Sequence, residues 1–111
     1  MNEPLEQLIA RLRAEYLAEI PDRLAEMDSA LERWAAGLPP EGPALLTLFH
    51  RLAGSAGAYG FGDVSGICRG IERWLAGNPP PDPEGHERVS TALAAIRTAF
   101  ARPPTTEGID A

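Results

Sequence analysis

Apolar residues recur every three or four positions along most of the chain, the spacing that predicts amphipathic α-helices. The first stripe consists of Leu5, Leu8, Leu12, Tyr16, Ile20, Leu24, Met27, Leu31 and Trp34. Pro21 interrupts it, and proline lacks the backbone N–H that a helix interior needs. We therefore expect either two helices or one sharply kinked helix in this segment.

Three further helices are predicted after a loop at residues 37–42, which contains two prolines. The first begins at Pro43 and ends at a glycine-containing turn at 57–60, the second runs from about Phe61 to Ala76, and the last covers residues 84–101. A proline-rich connector at 77–83 separates the last two. The inward faces are Leu45, Leu48, Phe49, Leu52 and Ala56, then Val64, Ile67, Cys68, Ile71 and Leu75, then Val89, Leu93, Ile96 and Phe100.

The connections between these helices are short, and no segment alternates with period two. Short connections favour antiparallel neighbours. The predicted fold is therefore all-α, an up-down antiparallel four-helix bundle with an additional N-terminal helix, formed by residues 1–102. Residues 103–111 are predicted to be a disordered tail.

Charge and composition narrow the class of function. The ten basic residues are all arginine, and with sixteen acidic residues the net charge is −6. Nucleic-acid binding is therefore not expected, because phosphate contacts need clustered positive charge. The sequence has no apolar run of membrane-spanning length, no signal-peptide pattern and a single cysteine, so we expect a cytoplasmic protein that does not bind a membrane. A monomer is also expected.

His50 is the candidate for chemistry, because it lies in an otherwise apolar predicted helix and small residues follow it. Its helical neighbours are Ala53, Gly54 and Gly57, and none of them can shield the imidazole. Glycine in a helix interior costs about 1 kcal/mol relative to alanine. Gly54 therefore indicates that a partner approaches this face closely.

The run from His50 to Phe61, together with four residues on the next helix, resembles the signature of histidine phosphotransfer (HPt) domains. The matching residues are His50, Leu52, Gly54, Ser55, Ala56, Gly57, Gly60 and Phe61, then Val64, Cys68, Ile71 and Glu72. Among HPt domains the run is most similar to the phosphoryl-accepting domain of chemotaxis-type histidine kinases. One residue departs from the family pattern, which commonly has lysine at the position of Ala53.

The resemblance implies that His50 is the phosphorylated nucleophile and that Glu72 orients its imidazole. It also implies a response-regulator receiver domain and a sensor histidine kinase as partners, with Mg²⁺ supplied by the partner and no cofactor of the chain's own. Arg69, on the facing helix, is the candidate that replaces the charge of the missing lysine. An ordinary surface arginine is the alternative.

The predicted partner-binding surface consists of Arg51, Ala53, Gly54 and Gly57. No residues have the spacing of metal ligands, so no metal site is predicted. His86 lies alone near the start of the last helix and is predicted to be a surface or capping residue.

Two functions remain open. The first is a phosphotransfer module of a two-component phosphorelay that has no nucleotide-binding kinase domain of its own. The second is a docking or scaffold bundle that keeps the HPt surface without phosphorylation, an alternative that Ala53 keeps open. A cofactor-binding bundle is not supported, because the predicted helices lack inward polar ligands.

Overall fold

The computed structural model describes residues 3–38 and 41–102, which form four α-helices and no strand. Helix α1 spans Leu5–Ala35, α2 spans Glu41–Ala58, α3 spans Gly62–Ala76 and α4 spans Pro83–Ala101. The prediction of an all-α four-helix bundle is confirmed. The predicted tail, 103–111, lies outside the described residues.

Helix α1 continues through Pro21, so of the two alternatives predicted for this segment the structure has one helix and not two. The additional N-terminal helix is therefore the first part of α1 and not a separate element. Pro21 is exposed, so the hydrogen bond that proline removes lies on the solvent side of α1. Its neighbours Ile20 and Leu24 are buried in the core, and their burial offsets the cost of the proline.

The turn between α2 and α3 is fixed by Gly60, whose φ of +90° lies in the left-handed region. The Gly60 N–H donates to the Gly57 carbonyl at 3.3 Å, and the Phe61 N–H donates to the Ala56 carbonyl at 2.8 Å. These two bonds form a Schellman motif, which satisfies the last carbonyls of α2. The turn folds α3 back along α2, as the glycine spacing predicted.

Two helix starts differ slightly from the prediction. Helix α2 begins at Glu41, so Pro43 stands inside its first turn, where a missing N–H costs little. Helix α4 begins at Pro83, directly after Asp82, whose Oδ1 accepts from the Gly85 N–H at 2.7 Å. This N-cap satisfies one of the free N–H groups of the first turn.

Each helix packs antiparallel against two others, in the ring order α1, α2, α3, α4 and back to α1. The largest fully buried side chains are Phe49, Met27, Leu45, Leu93, Ile96, Val64, Val89 and Cys68. Trp34 and Trp74 pack edge to face at one end of the bundle. The other end is closed by Tyr16, Tyr59, Phe61 and Phe100.

Helix α1 projects beyond the bundle at its N-terminal end. With 31 residues it is far longer than α2, α3 and α4, which have 18, 15 and 19. Tyr16 belongs to the last core layer, and Arg13 reaches the α2–α3 turn, where its Nε donates to the Tyr59 carbonyl at 3.0 Å. We call residues 5–12 of α1 the overhang. None of the helices described is long and apolar enough to span a membrane.

Candidate functional site

His50 stands on α2 at the edge of the face that packs against α3. Phe49, its neighbour in sequence, is fully buried, whereas 69% of the His50 side chain is exposed. Successive helical residues differ by about 100° around the axis, so the imidazole emerges where the core meets solvent. A macromolecular partner can therefore reach the ring while one side of it rests on α3.

Glu72 on α3 holds the imidazole from the protein side. The Nδ1 of His50 and the Oε2 of Glu72 lie 2.7 Å apart. A carboxylate can only accept a hydrogen bond, so Nδ1 carries a proton, and in the neutral ring Nε2 then keeps its lone pair. Nε2 has no hydrogen-bond partner among the described residues. In its neutral form the ring therefore presents an oriented nitrogen lone pair to solvent, which is the group that acts as a nucleophile.

Ser65 aligns α2 with α3, one to two helical turns from His50. Its Oγ donates to the Ala53 carbonyl at 2.9 Å, and Ser65 is the one buried polar residue in the described part of the chain. Gly57 lies against the same hydroxyl, because a Cβ on Gly57 would stand 3.3 Å from it. His50 lies opposite Glu72 and Gly57 lies opposite Ser65, so both contacts belong to the same antiparallel register of α2 and α3.

Gly54 differs from Gly57 in what surrounds it. A Cβ on Gly54 would have no atom within 4 Å, so close packing inside the described bundle does not require glycine there. Gly54 is exposed and lies one turn from His50 on the same helix face. The glycine leaves an unobstructed surface beside the imidazole, whereas Gly57 also has an internal role, the close approach of Ser65.

Ala53 does not lie on the surface, which corrects its assignment to the partner-binding residues. It is 2% exposed and packs in the core, with its carbonyl bonded to Ser65. The spacing explains this position, because Ala53 follows the core residue Phe49 by four and precedes the core residue Ala56 by three. His50 and Gly54 are exposed on this side of α2, whereas the Ala53 side chain is not.

Arg69 points away from His50. Its Nε donates to Ser65 Oγ at 3.2 Å, one turn toward the α2–α3 turn, whereas Glu72 lies on the other side of Arg69 along α3. No hydrogen bond or ion pair joins Arg69 to His50 in the described part of the chain. The structure therefore brings Glu72 to His50, as predicted, and holds Arg69 at Ser65 instead of at the imidazole.

Arg51 is exposed on the side of α2 that faces α1. It lines a groove with Glu26 and Leu48, close to Arg23. The lining of this groove comes from α1 and α2 and does not include His50, whose imidazole pairs with Glu72 on α3. No hydrogen bond or ion pair joins Arg51 to His50 in the described part of the chain.

Two hydrogen-bonding residues of this region were not predicted. Ser65 was missed, although it precedes Glu72 by seven residues, the spacing that places both on the α2-facing side of α3. Tyr16 was predicted only as a core residue, yet its hydroxyl lies 2.8 Å from Ser55 Oγ and ties α1 to the helix that carries His50. That bond makes Ser55 a packed residue.

Cys68 lies in the core behind Glu72 and has no exposed surface. Burial, reinforced by the nearby Glu72 carboxylate, raises the pKa of its thiol to about 12. The thiol is therefore protonated and inert at neutral pH. His86 lies near the end of the bundle that Trp34 and Trp74 close, and its Nε2 lies 2.9 Å from Glu32 Oε2.

Comparison with known proteins gives one match. The family model of the Hpt domain matches residues 11–99, which include His50, Glu72 and parts of all four helices. The search of curated proteins and the search of solved structures each returned no match.

Proposed function

This chain belongs to the Hpt domain family, whose members carry out histidine phosphotransfer in phosphorelays, and we propose that His50 is the residue that carries the phosphoryl group. His50 exchanges this group with the aspartate of a response-regulator receiver domain, which is the donor in one direction and the acceptor in the other. The observation that supports this proposal best is the 2.7 Å contact between His50 Nδ1 and Glu72 Oε2, because it leaves Nε2 as the free nucleophile.

The reaction is an in-line transfer between nitrogen and oxygen. The Nε2 lone pair attacks the phosphorus of an aspartyl phosphate, the N–P bond forms, and the P–O bond breaks with its electron pair leaving on the aspartate carboxylate. The imidazole, still protonated at Nδ1, then carries a positive charge opposite the Glu72 carboxylate. That charge compensation stabilises the product, and the same steps in reverse return the phosphoryl group.

The partner supplies what the surface around His50 does not contain. The receiver or the kinase brings Mg²⁺, and the chain needs no cofactor of its own. Gly54, Gly57 and Arg51 form the surface on which the partner rests, and Arg69 turns from Ser65 toward the transferred phosphoryl group. The cytoplasmic location remains a prediction from the sequence.

Transfer from phosphorylated receiver domains to the purified protein, followed by detection of acid-labile phosphate, tests the proposal. His50→Gln should accept no phosphoryl group, and His86→Gln should accept it at the wild-type rate. His86 is the matched control because it also pairs with a glutamate. Phosphate retained on His50→Gln would show that another residue is the acceptor. No acceptance by the wild type from a broad panel of receivers would favour the scaffold function.

A further inference from the structure

The overhang presents an apolar face with no helix packed against it in the described part of the chain. Leu5, Ile9 and Leu12 are 69%, 43% and 38% exposed, and they are three of the four large apolar side chains with high exposure among the described residues. With the half-buried Leu8 they continue the stripe that takes Tyr16 into the core. A contiguous exposed apolar face of this kind marks an interaction site.

The order of residues makes this face complementary to itself in the antiparallel direction. Two overhangs related by a two-fold axis between residues 8 and 9 place Leu5 of each copy opposite Leu12 of the other. The same axis places Leu8 opposite Ile9. A two-fold axis repeats every contact, so these pairs form twice and cover the whole stripe.

The charges beside the stripe agree with the antiparallel direction. Glu6 and Arg13 lie on the same flank of α1, about 20° apart around the helix axis. In the antiparallel pair, Glu6 of one copy stands within about 3 Å along the axis of Arg13 of the other. Glu6 has no ion-pair partner in the described residues, and the terminal nitrogens of Arg13 are not used by its bond to Tyr59. A parallel pair would instead place the two Glu6 side chains at the same height.

We propose that the overhang binds the overhang of a second copy, forming an antiparallel two-fold dimer. The two bundles then lie at opposite ends of the paired segment. His50 lies at the level of Pro21, beyond the overhang, because Tyr16 pairs with Ser55 across the antiparallel helices α1 and α2. Both His50 side chains therefore remain accessible. The overhang has eight residues, fewer than the roughly 20–30 residues a side of a standard interface, so the dimer is reversible.

Sedimentation equilibrium from micromolar to millimolar concentration tests the dimer. The wild type should associate with increasing concentration, and Ile9→Glu should raise the dissociation constant more than about a hundredfold, because the dimer would bury unpaired carboxylates. Leu38→Glu is the matched control, since Leu38 is 54% exposed just after the C-terminal end of α1, far from the overhang, and should not change association. A wild type that stays monomeric, or equal effects of the two variants, would overturn the proposal.

Cysteine cross-linking tests the direction. Under oxidation, a mixture of Leu5→Cys and Leu12→Cys should give mixed disulfide dimers in preference to disulfides of either variant with itself. Buried Cys68 should not react. If most disulfides instead joined two Leu5→Cys chains, the pairing would be parallel, which would contradict the proposed interface. His50→Gln should associate like the wild type, so this proposal fails or holds independently of phosphotransfer.

Discussion

Gly57 and Ser65 approach each other so closely that a methyl group on Gly57 would stand 3.3 Å from the Ser65 hydroxyl oxygen. Ser65 cannot easily yield, because it is buried and its Oγ is bonded to the Ala53 carbonyl. Gly54, one turn earlier in α2, faces open space. The two glycines beside His50 therefore have different physical reasons to be glycine.

We expect opposite effects of alanine at these two positions. Gly54→Ala should raise the free energy of unfolding by about 1 kcal/mol, because only helix propensity changes. Gly57→Ala should lower it, because the new methyl group crowds Ser65. Denaturant unfolding measures both, and in a Ser65→Ala background Gly57→Ala should become stabilising. A stabilising Gly57→Ala in the wild-type background would contradict the packing argument.

The larger variant Gly54→Gln should slow phosphotransfer without loss of stability, since its side chain would stand in the path of the partner. Transfer at the wild-type rate would mean that the partner does not approach this part of α2.

Glu72 is a positioning residue in the proposed reaction, because it contacts the imidazole and not the phosphoryl group. Glu72→Ala should slow phosphoryl acceptance by about tenfold or more, as loss of a carboxylate behind a functional histidine does elsewhere. Nitrogen NMR of His50 should show the proton no longer confined to Nδ1, which a purely structural role would not predict. An unchanged tautomer with a slowed reaction would assign Glu72 a different role.

Arg69→Gln should slow transfer about five- to tenfold at low ionic strength, the effect of one exposed charge near the phosphoryl group. The difference should shrink as salt is added, because exposed charges are screened. Arg102→Gln removes the same charge at the end of α4 and serves as the control. Equal rates for Arg69→Gln and the wild type at low salt would leave the receiver as the sole source of positive charge.

Cys68 should make stability depend on pH at the alkaline end. The folded thiol has a pKa of about 12, against about 9 for an ordinary thiol, so the unfolded chain loses this proton first. The thiol therefore adds no pH dependence to stability below pH 9, and it lowers stability as pH rises from 9 toward 12, by at most about 1.4 kcal/mol per pH unit. Denaturant unfolding of Cys68→Ala should show a shallower decline than the wild type. Parallel curves would mean that the thiol is not buried in the folded state.

Pro21→Ala should stabilise the protein, because it restores an N–H donor within α1 and removes a steric conflict worth up to about 3 kcal/mol. An increase of at least about 1 kcal/mol in the free energy of unfolding is expected. Alanine also gives the unfolded chain more conformational entropy than proline does, which reduces the gain in the free energy of unfolding. A loss of stability would indicate that α1 depends on a bend at this position.

Local patterns predicted most of the fold, and the exceptions have physical causes. The apolar stripes identified the helices, but at Pro21 local propensity was overridden by the burial of Ile20 and Leu24 on both sides. The pairing of His50 with Glu72 could be predicted because it rests on a turn marked by glycines. The spacing of Ser65 from Glu72 places it on the α2-facing side of α3, but that spacing does not show that its hydroxyl donates to the Ala53 carbonyl.

The direction of the Arg69 side chain could not be predicted either, because it follows from a bond within α3 to the Ser65 hydroxyl, which the sequence does not single out. The burial of Ala53 was available from the sequence, since its spacing from Phe49 and Ala56 places it on the core stripe. The family position of the missing lysine drew attention to the surface instead. Helix spacing was the better guide there.

The bonds that orient His50 and align its two helices all close within residues 41–76. His50 and Glu72 are 22 residues apart, and Ser65 is 12 residues from Ala53, whereas the α1–α4 bonds join residues 54 and 69 apart. Short loops cost less entropy to close, so contacts of low sequence separation form early in folding. The helical hairpin that bears the nucleophile is therefore expected to assemble before the bundle closes, with α1 and α4 docking onto an imidazole already in place.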